Sequence, residues 1–145
     1  MKPLLVGESN PYGSDPRYAL YPYPDHSAGG RLCFKVMDLT RREYLTRFDR
    51  VNLCTGKWSM REAREAALAI MAARTGTVVL FGAKVCQAFG VIRFNPFGFP
   101  SEPELVRKAG ARYVILPHPS GLSRAWNEPG AFERARAVLR EAGVL

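Results

Sequence analysis

Short apolar runs alternate with amphipathic segments along most of the chain. Four of these runs, at residues 4–6, 51–54, 77–81 and 112–116, have the length and composition of buried strands. Between and after them, the spacing of apolar residues predicts helices over residues 40–48, 59–74 and 83–89, and from 127 or 128 to about 142. Strands that alternate with helices indicate an α/β fold with a parallel sheet. We therefore expect one domain over residues 1–145, a three-layer α/β/α arrangement around a four-stranded, mainly parallel central sheet.

Two of the predicted helices begin with a capping-box sequence. Thr40 is followed three residues later by Glu43, and Ser59 is followed in the same way by Glu62. In this motif the hydroxyl accepts from the backbone of the third helical residue, and the carboxylate returns a bond to the backbone of the cap. Gly76 is predicted to mark the end of the second of these helices.

The segment between residues 9 and 30 has no clear period. It is rich in Pro, Gly and Ser and holds four of the six tyrosines, at positions 12, 18, 21 and 23. Long loops inside compact domains usually have a function or are disordered, and aromatic enrichment argues against disorder. We expect a loop that is packed or faces a ligand.

The composition is that of an ordinary globular protein with a strong positive charge. Of the 145 residues, 47% are hydrophobic and 23% are charged, and the formal net charge is +8. These values exclude a coiled coil, a disulfide-stapled mini-protein and a multidomain assembly. The positive charge favours a polyanionic partner, with nucleic acid ahead of an anionic membrane surface.

The three cysteines predict buried free thiols. Cys33, Cys54 and Cys86 show no CxxC spacing, and three thiolates are fewer than a structural zinc or an iron–sulfur cluster normally needs. We therefore expect neither a structural zinc nor an iron–sulfur cluster. The first apolar run is too short for a signal sequence, and no apolar stretch approaches the length of a membrane span. These features predict a soluble, cytoplasmic protein with no membrane partner.

Three loops should lie at the same edge of the sheet. Ligands of parallel α/β sheets bind beyond the carboxyl ends of the strands, which directs attention to the loops after residues 6, 54 and 116. The first and third of these loops contain the sequences GESNPYG (residues 7–13) and HPSGLSR (118–124), and VNLC (51–54) is the strand that leads into the second.

The motifs in these loops resemble those of the uracil-DNA glycosylase superfamily, over most of the chain from Leu4 to about Arg124. HPSGLSR is similar to the HPSPLS of the classical enzymes and to the NPSGLSR of the mismatch-specific enzymes. Asn-Pro-Tyr at residues 10–12 resembles a blend of the classical GQDPYH and the mismatch-type GINPG. RLCFKV at residues 31–36 resembles the classical GLCFSV, and Asn52 resembles the base-reading Asn of the classical and single-strand-selective families.

The resemblance implies catalytic roles for residues of the first and third loops. Asn10 matches the position that holds or activates the attacking water, although an amide is a poor general base. Glu8, directly after Gly7, is similar to the Glu in the GEAPG loop of the iron–sulfur glycosylases and is an alternative water-activating group, with Asp15 a more distant one. His118 matches the residue that donates a hydrogen bond to uracil O2 as negative charge develops there.

Further residues match positions that bind the base. Phe34 would stack on the flipped base, and Tyr12 would exclude a thymine 5-methyl group. Asn52 could pair with N3–H and O4 of uracil, because an amide carries both a donor and an acceptor. Cytosine presents the opposite pattern at position 4 and would be rejected.

The third loop is also expected to contact DNA. Leu122 matches the wedge that fills the gap left by an extruded nucleotide. Arg124 is expected to contact the widowed base or a phosphate, and Ser120 and Ser123 suit phosphate contacts.

The sequence also departs from these families. One extra residue separates Gly7 from Asn10, the classical His after Tyr is Gly13, and the chain is short for the superfamily. The resemblance predicts a monomeric, monofunctional glycosylase that flips uracil or a related deaminated base out of DNA and hydrolyses its glycosidic bond without a metal or a cofactor. One alternative is a glycosylase-fold module that binds DNA or a damaged base without turnover. Another is a hydrolase of small nucleobase derivatives, which would make no use of the +8 charge.

Overall fold

A twisted sheet of five strands forms the centre of the computed structural model, which describes residues 1–9, 15–91, 106–108, 111–120 and 123–145. The sheet order is β2-β1-β3-β5-β4. The first four strands in this order are parallel, and β4 pairs antiparallel with β5 at one edge. The predicted α/β fold with four parallel strands is confirmed, and β4 is an addition that the sequence pattern did not predict. The strands are β1 (Leu4–Ser9), β2 (Asp49–Cys54), β3 (Thr77–Phe81), β4 (Val106–Lys108) and β5 (Ala111–Leu116).

Helices follow the strands in the order expected for an α/β protein. The predicted helices over 40–48, 59–74 and 83–89 are present with slightly shorter bounds, whereas the segment from 28 to 36 is helical without having been predicted so. The α-helices among the described residues are α1 (Ala28–Arg31), α2 (Arg41–Arg47), α3 (Met60–Ala73), α4 (Ala83–Ala88) and α5 (Ala131–Glu141). A π-helical turn, Leu32–Val36, continues α1, and 3₁₀ turns occupy Pro16–Tyr18 and Arg124–Asn127.

Alternate residues of the central strands enter two separate hydrophobic cores. On β3, Val79 and Phe81 belong to one core, and Val78 and Leu80 belong to the other. The first core lies beneath α1, its π-helical continuation, α2 and α5, and the second lies beneath α3 and α4. Helices therefore cover both faces of the sheet, as the three-layer prediction requires.

The two predicted capping boxes differ in the structure. At α2 both bonds of the box between Thr40 and Glu43 are present. At α3 the Ser59 hydroxyl accepts from the backbone N–H of Glu62, but the Glu62 carboxylate accepts from the backbone N–H and hydroxyl of Thr55, at 3.0 and 3.2 Å. The second box is therefore only half formed, because Glu62 stabilises the turn before the helix instead.

The last predicted helix begins later than expected, at Ala131 rather than at residue 127 or 128. A 3₁₀ turn ends at Asn127, and α5 begins after Gly130, which has a φ of 78°. This left-handed backbone, which glycine readily adopts, is not helical and delays the start of the helix to the next residue. Trp126 of the turn stacks on Phe132 of α5 with ring centroids 5.4 Å apart, so the two elements pack together.

The prediction of buried free thiols is confirmed at Cys33, Cys54 and Cys86. Within the part of the chain that the structure describes, no helix is long and apolar enough to cross a membrane.

Candidate functional site

A cavity of about 600 Å³ opens at the carboxyl ends of the parallel strands. The strand ends and the loop after β5 contribute Glu8, Asn52, His118 and Ser120 to its lining. The opposite wall comes from residues between the first 3₁₀ turn and α1, including three tyrosines. Pockets of this size and position in α/β proteins commonly bind small molecules or parts of larger ones.

Strand register places Glu8 and Asn52 at this cavity. Gly7 is the Cα partner of Asn52 in the parallel pairing of β1 and β2, and Glu8 follows Gly7 in the chain. A Cβ atom added to Gly7 would lie 2.5 Å from Asn52 Oδ1. Only glycine at position 7 therefore leaves room for the amide of Asn52 where the structure has it.

Gly82 lies between the carboxylate and the imidazole of the site. It follows the central strand β3, has a φ of 91°, and donates its backbone N–H to the carbonyl of Leu116 at 2.8 Å. A Cβ atom on Gly82 would lie 3.1 Å from His118 Cβ and 3.5 Å from Glu8 Oε1. The missing side chain of Gly82 therefore allows Glu8 and His118 to approach the same point.

Three hydrogen bonds hold the loop that carries His118. The backbone N–H of Ser120 donates to His118 Nδ1 at 3.1 Å, and Trp126 Nε1 donates to the carbonyl of His118 at 2.8 Å. Arg31 Nε donates to the carbonyl of Pro119 at 3.1 Å. Because Nδ1 accepts a hydrogen bond, a neutral imidazole carries its proton on Nε2.

Burial lowers the pKa of His118 from its usual value. Desolvation is the largest cause, and it outweighs the attraction of the Glu8 carboxylate, which raises the pKa; the charge of Lys84 adds to the lowering. His118 is therefore neutral near pH 7. No hydrogen bond joins its Nε2 to another described residue, so the Nε2–H group remains available to a ligand in the cavity.

The lowered pKa of His118 predicts a specific titration. The imidazole Cε1–H signal, followed by NMR, should titrate with a midpoint below about 6.5, the usual value for histidine. Because the unfolded chain binds this proton more readily, the folded protein should lose stability as the pH falls below about 6.5. A midpoint at or above that value would contradict the burial of the neutral ring.

The loop opposite the strand ends is fastened by side chains from other elements. Tyr44 Oη donates to the carbonyl of Leu20 at 2.8 Å, and Arg50 donates to the carbonyl of Ala19 at 2.7 Å. Arg41 Nε donates to the carbonyl of Pro22 at 2.9 Å. In its described residues this loop is packed and faces a cavity, as its aromatic composition predicts.

Close approach of α1 completes the same wall. A Cβ atom on Gly29 would lie 2.2 Å from the carbonyl oxygen of Tyr21, and one on Gly30 would lie 2.4 Å from that of Pro24. The Ser27 hydroxyl caps α1 by accepting from the backbone N–H of Gly30 at 3.0 Å, and it donates to the carbonyl of Pro24 at 2.6 Å. The Gly-Gly pair is therefore needed for the helix to pack against the loop.

The structure gathers some of the predicted site residues and separates others. Glu8, Asn52, His118 and Ser120 line one cavity. Ser123 and Arg124 are not among its described lining residues: Ser123 precedes the second 3₁₀ turn, and Arg124 is exposed at its first position. The predictions for Asn10, Tyr12 and Leu122 concern positions outside the described residues.

Phe34 does not line the cavity with the other predicted base-binding residues. Its ring lies in the π-helical turn, packs against the core beneath α1, α2 and α5, and has the guanidinium carbon of Arg41 5.0 Å from its centroid. This placement does not support the expected stacking role of Phe34, because the turn directs its ring to the core and to Arg41. Among the described residues, the aromatic side chains that line the cavity are Tyr18, Tyr21 and Tyr23.

Asp15 is also separate from the cavity lining. Its carboxylate caps the first 3₁₀ turn by accepting from the backbone N–H of Arg17 at 3.0 Å, and it pairs with the Arg17 guanidinium at 2.8 Å. These bonds to Arg17 lower the pKa of Asp15. Of the candidate water-activating carboxylates, only Glu8 faces the cavity.

Sequence reasoning missed Gly82 and gave no role to the three tyrosines of the wall. The concentration of tyrosines in one irregular segment is a sequence feature that could have identified them as part of the site. The corresponding feature of Gly82 is weaker, because it is a single glycine directly after a strand. Its importance depends on β3 lying between β1 and β5, which only the strand order reveals.

Replacing Gly82 by alanine should damage both stability and the site. Alanine at this position would have to adopt a positive φ, which L side chains rarely do, and its Cβ would press on His118. Together these effects should lower the free energy of unfolding by about 1–3 kcal/mol. Urea denaturation measures this change. Gly56→Ala is the matched control, because a Cβ at Gly56 would have no atom within 4 Å. Equal stability of the two variants would contradict the crowding at Gly82.

The site therefore combines a carboxylate, an amide and a neutral imidazole donor with aromatic rings. This set can orient a water molecule, read a planar heterocycle by hydrogen bonds and stabilise a negative charge that develops on it.

The sequence matches no protein-family model and no curated protein.

Proposed function

We propose that this protein is a DNA glycosylase-like enzyme that flips uracil or a related deaminated base out of DNA and hydrolyses its N-glycosidic bond. The observation that supports the proposal most directly is the meeting of Glu8, Asn52 and His118 in one cavity at the carboxyl ends of the strands. These three residues lie far apart in the sequence, and the resemblance to uracil-DNA glycosylases gives each of them a role in one reaction.

Asn52 and His118 would recognise the base from two sides. The Asn52 amide can accept from uracil N3–H and donate to O4. The His118 Nε2–H can donate to O2, where negative charge accumulates as the glycosidic bond breaks. A neutral imidazole can fill this role, because Nδ1 accepts from the backbone N–H of Ser120 and the ring proton is therefore on Nε2.

Glu8 would orient the water that attacks the sugar. The bond between C1′ and the base nitrogen breaks with its electron pair leaving on the base, and the water oxygen bonds to C1′. Glu8 accepts the proton that the water loses, and the base is later protonated by solvent. A carboxylate is a better base for this step than the amide of Asn10. The reaction uses water, DNA and protein side chains and requires no cofactor.

DNA is the proposed partner. A net charge of +8 favours phosphate contacts, and Ser120, Ser123 and Arg124 belong to the segment for which the resemblance implies such contacts. Leu122 keeps its proposed role as the wedge that replaces the flipped nucleotide. The proposal is for a monomer acting in the cytoplasm.

The test is a cleavage assay with the purified protein. Labelled single- and double-stranded oligonucleotides that contain uracil, hypoxanthine or xanthine are incubated with it, and alkali then cleaves any abasic site. Strand scission at the modified base is the expected result, with an unmodified oligonucleotide as control. Uracil-dependent binding without scission would favour the inactive base-binding module instead. The absence of both binding and scission would overturn both functions.

A further inference from the structure

Aromatic rings at the mouth of the cavity are exposed to solvent. Tyr18 is 45% exposed and Tyr23 is 64% exposed, and both line the cavity together with Tyr21. Among the described residues, the only other large hydrophobic side chains that are exposed are Met1 and Leu68. We refer to Tyr18, Tyr21 and Tyr23 as the tyrosine rim.

Each tyrosine of the rim has an arginine close to its ring. The guanidinium carbon lies 6.0 Å from the ring centroid for Arg17 and Tyr18, 5.6 Å for Arg50 and Tyr21, and 5.4 Å for Arg41 and Tyr23. These distances allow a cation–π interaction, which keeps each guanidinium beside an aromatic face.

The arginines are only partly neutralised by carboxylates. Arg17 pairs with Asp15 and Arg41 pairs with Asp25. Arg50 instead donates to the backbone carbonyls of Arg17 and Ala19, and no ion pair joins it to a described carboxylate. The rim therefore carries excess positive charge next to its rings, in a protein whose net charge is +8.

Exposed aromatic faces beside cationic side chains are a recurring way to bind single-stranded nucleic acid. Unpaired bases stack on the rings, and the cations attract the phosphates between them. Bases within a duplex already stack on one another and offer no free face to an aromatic side chain. A purely apolar protein partner would not account for the three arginines.

We propose that the tyrosine rim is a stacking site for unpaired bases that flank the nucleotide in the cavity, so that the protein engages its target in single-stranded DNA. The inference rests on the proposed function for the identity of the target base, but the rim can bind a strand that contains no uracil. Its test can therefore be separated from glycosylase activity.

The experiment measures fluorescence anisotropy of a short, labelled oligothymidylate, single-stranded or annealed to its complement. Tyr18→Ala and Tyr23→Ala should each weaken binding of the single strand by about 5- to 150-fold, the loss expected for one stacked base. Tyr18→Phe and Tyr23→Phe keep the ring and should retain binding. Leu68→Ala is the matched control, because Leu68 is also 64% exposed but lies on α3.

Three results would overturn the stacking site. In the first, the alanine variants bind the single strand as tightly as the unmodified protein. In the second, the phenylalanine variants lose as much affinity as the alanine variants. In the third, the protein self-associates and Tyr23→Ala abolishes this, so that the rim is a contact between copies of the chain. Thermal unfolding of every variant establishes that affinity is compared between folded proteins.

The two proposals fail in distinguishable ways. Ring-dependent binding of oligothymidylate without any base release would support the rim and count against the glycosylase. Base release together with oligothymidylate binding that is indifferent to Tyr18→Ala and Tyr23→Ala would support the glycosylase and overturn the rim.

Discussion

Replacing Glu8 by glutamine is expected to lower the single-turnover rate of uracil release by about 10²–10⁴-fold, the usual contribution of a general base. Glutamine keeps the size of the side chain and can still contact a water molecule, but it cannot accept the proton that the water loses. Binding of uracil-containing DNA should change little, because the proposed base contacts belong to Asn52 and His118. Rapid-quench measurement of base release, with affinity determined separately, distinguishes the two effects.

Glu65→Gln provides the matched control for this experiment. Glu65 lies on α3 and is well exposed, and among the described residues its one ion pair is with Arg61, one helical turn away. It should leave the rate unchanged. An undiminished rate for Glu8→Gln would show that the carboxylate is not the base and would leave Asn10 as the sequence-based candidate.

Replacing His118 by asparagine is expected to slow uracil release by about 10²–10³-fold, the typical cost of losing one donor to a developing negative charge. The asparagine oxygen can still accept from the backbone N–H of Ser120, so the loop keeps this bond, but the donor at Nε2 is lost. The measurement is again the single-turnover rate, compared with affinity for uracil-containing DNA. His26→Asn is the control, because His26 is the other histidine and is exposed.

A second outcome separates the electrostatic role of His118 from a structural one. If the imidazole acts as a donor, the loss in rate should far exceed the loss in affinity, and thermal unfolding should change little. Equal losses in rate and affinity would indicate uniform binding, and a large drop in thermal stability would indicate a structural residue.

The apolar pattern was sufficient to predict the parallel strands and the order of helices around them. Each central strand alternates between two cores, so its apolar run reflects burial on both faces. The edge strand β4 has only three residues, and such a short element leaves no period to recognise. The half-formed capping box at Glu62 shows a related limit, since a nearby Thr55 competes for the same carboxylate.

The site was predicted where it depends on strand ends and missed where it depends on long-range packing. Glu8, Asn52 and His118 follow from the rule for parallel sheets once the strands are identified. The position of Phe34 depends instead on a π-helical turn that continues a four-residue helix. No local pattern in residues 31–36 distinguishes that turn from a strand or a loop.

The irregular wall of the cavity was the least predictable part of the site. Its path is fixed by Tyr44 and Arg50, which lie more than 20 residues away in the sequence. The concentration of tyrosines indicated that the segment between residues 9 and 30 is packed or faces a ligand, but it did not indicate which rings line the cavity. Three-dimensional contacts were needed to replace Phe34 by Tyr18, Tyr21 and Tyr23 as the candidate aromatic surface.

The fastening of this wall also has a thermodynamic consequence. The bonds from Tyr44, Arg41 and Arg50 to the carbonyls of Leu20, Pro22 and Ala19 are made within the chain itself, so the backbone conformation there is set during folding. A molecule that enters the cavity consequently meets a preformed surface and loses little affinity to the conformational entropy of ordering it.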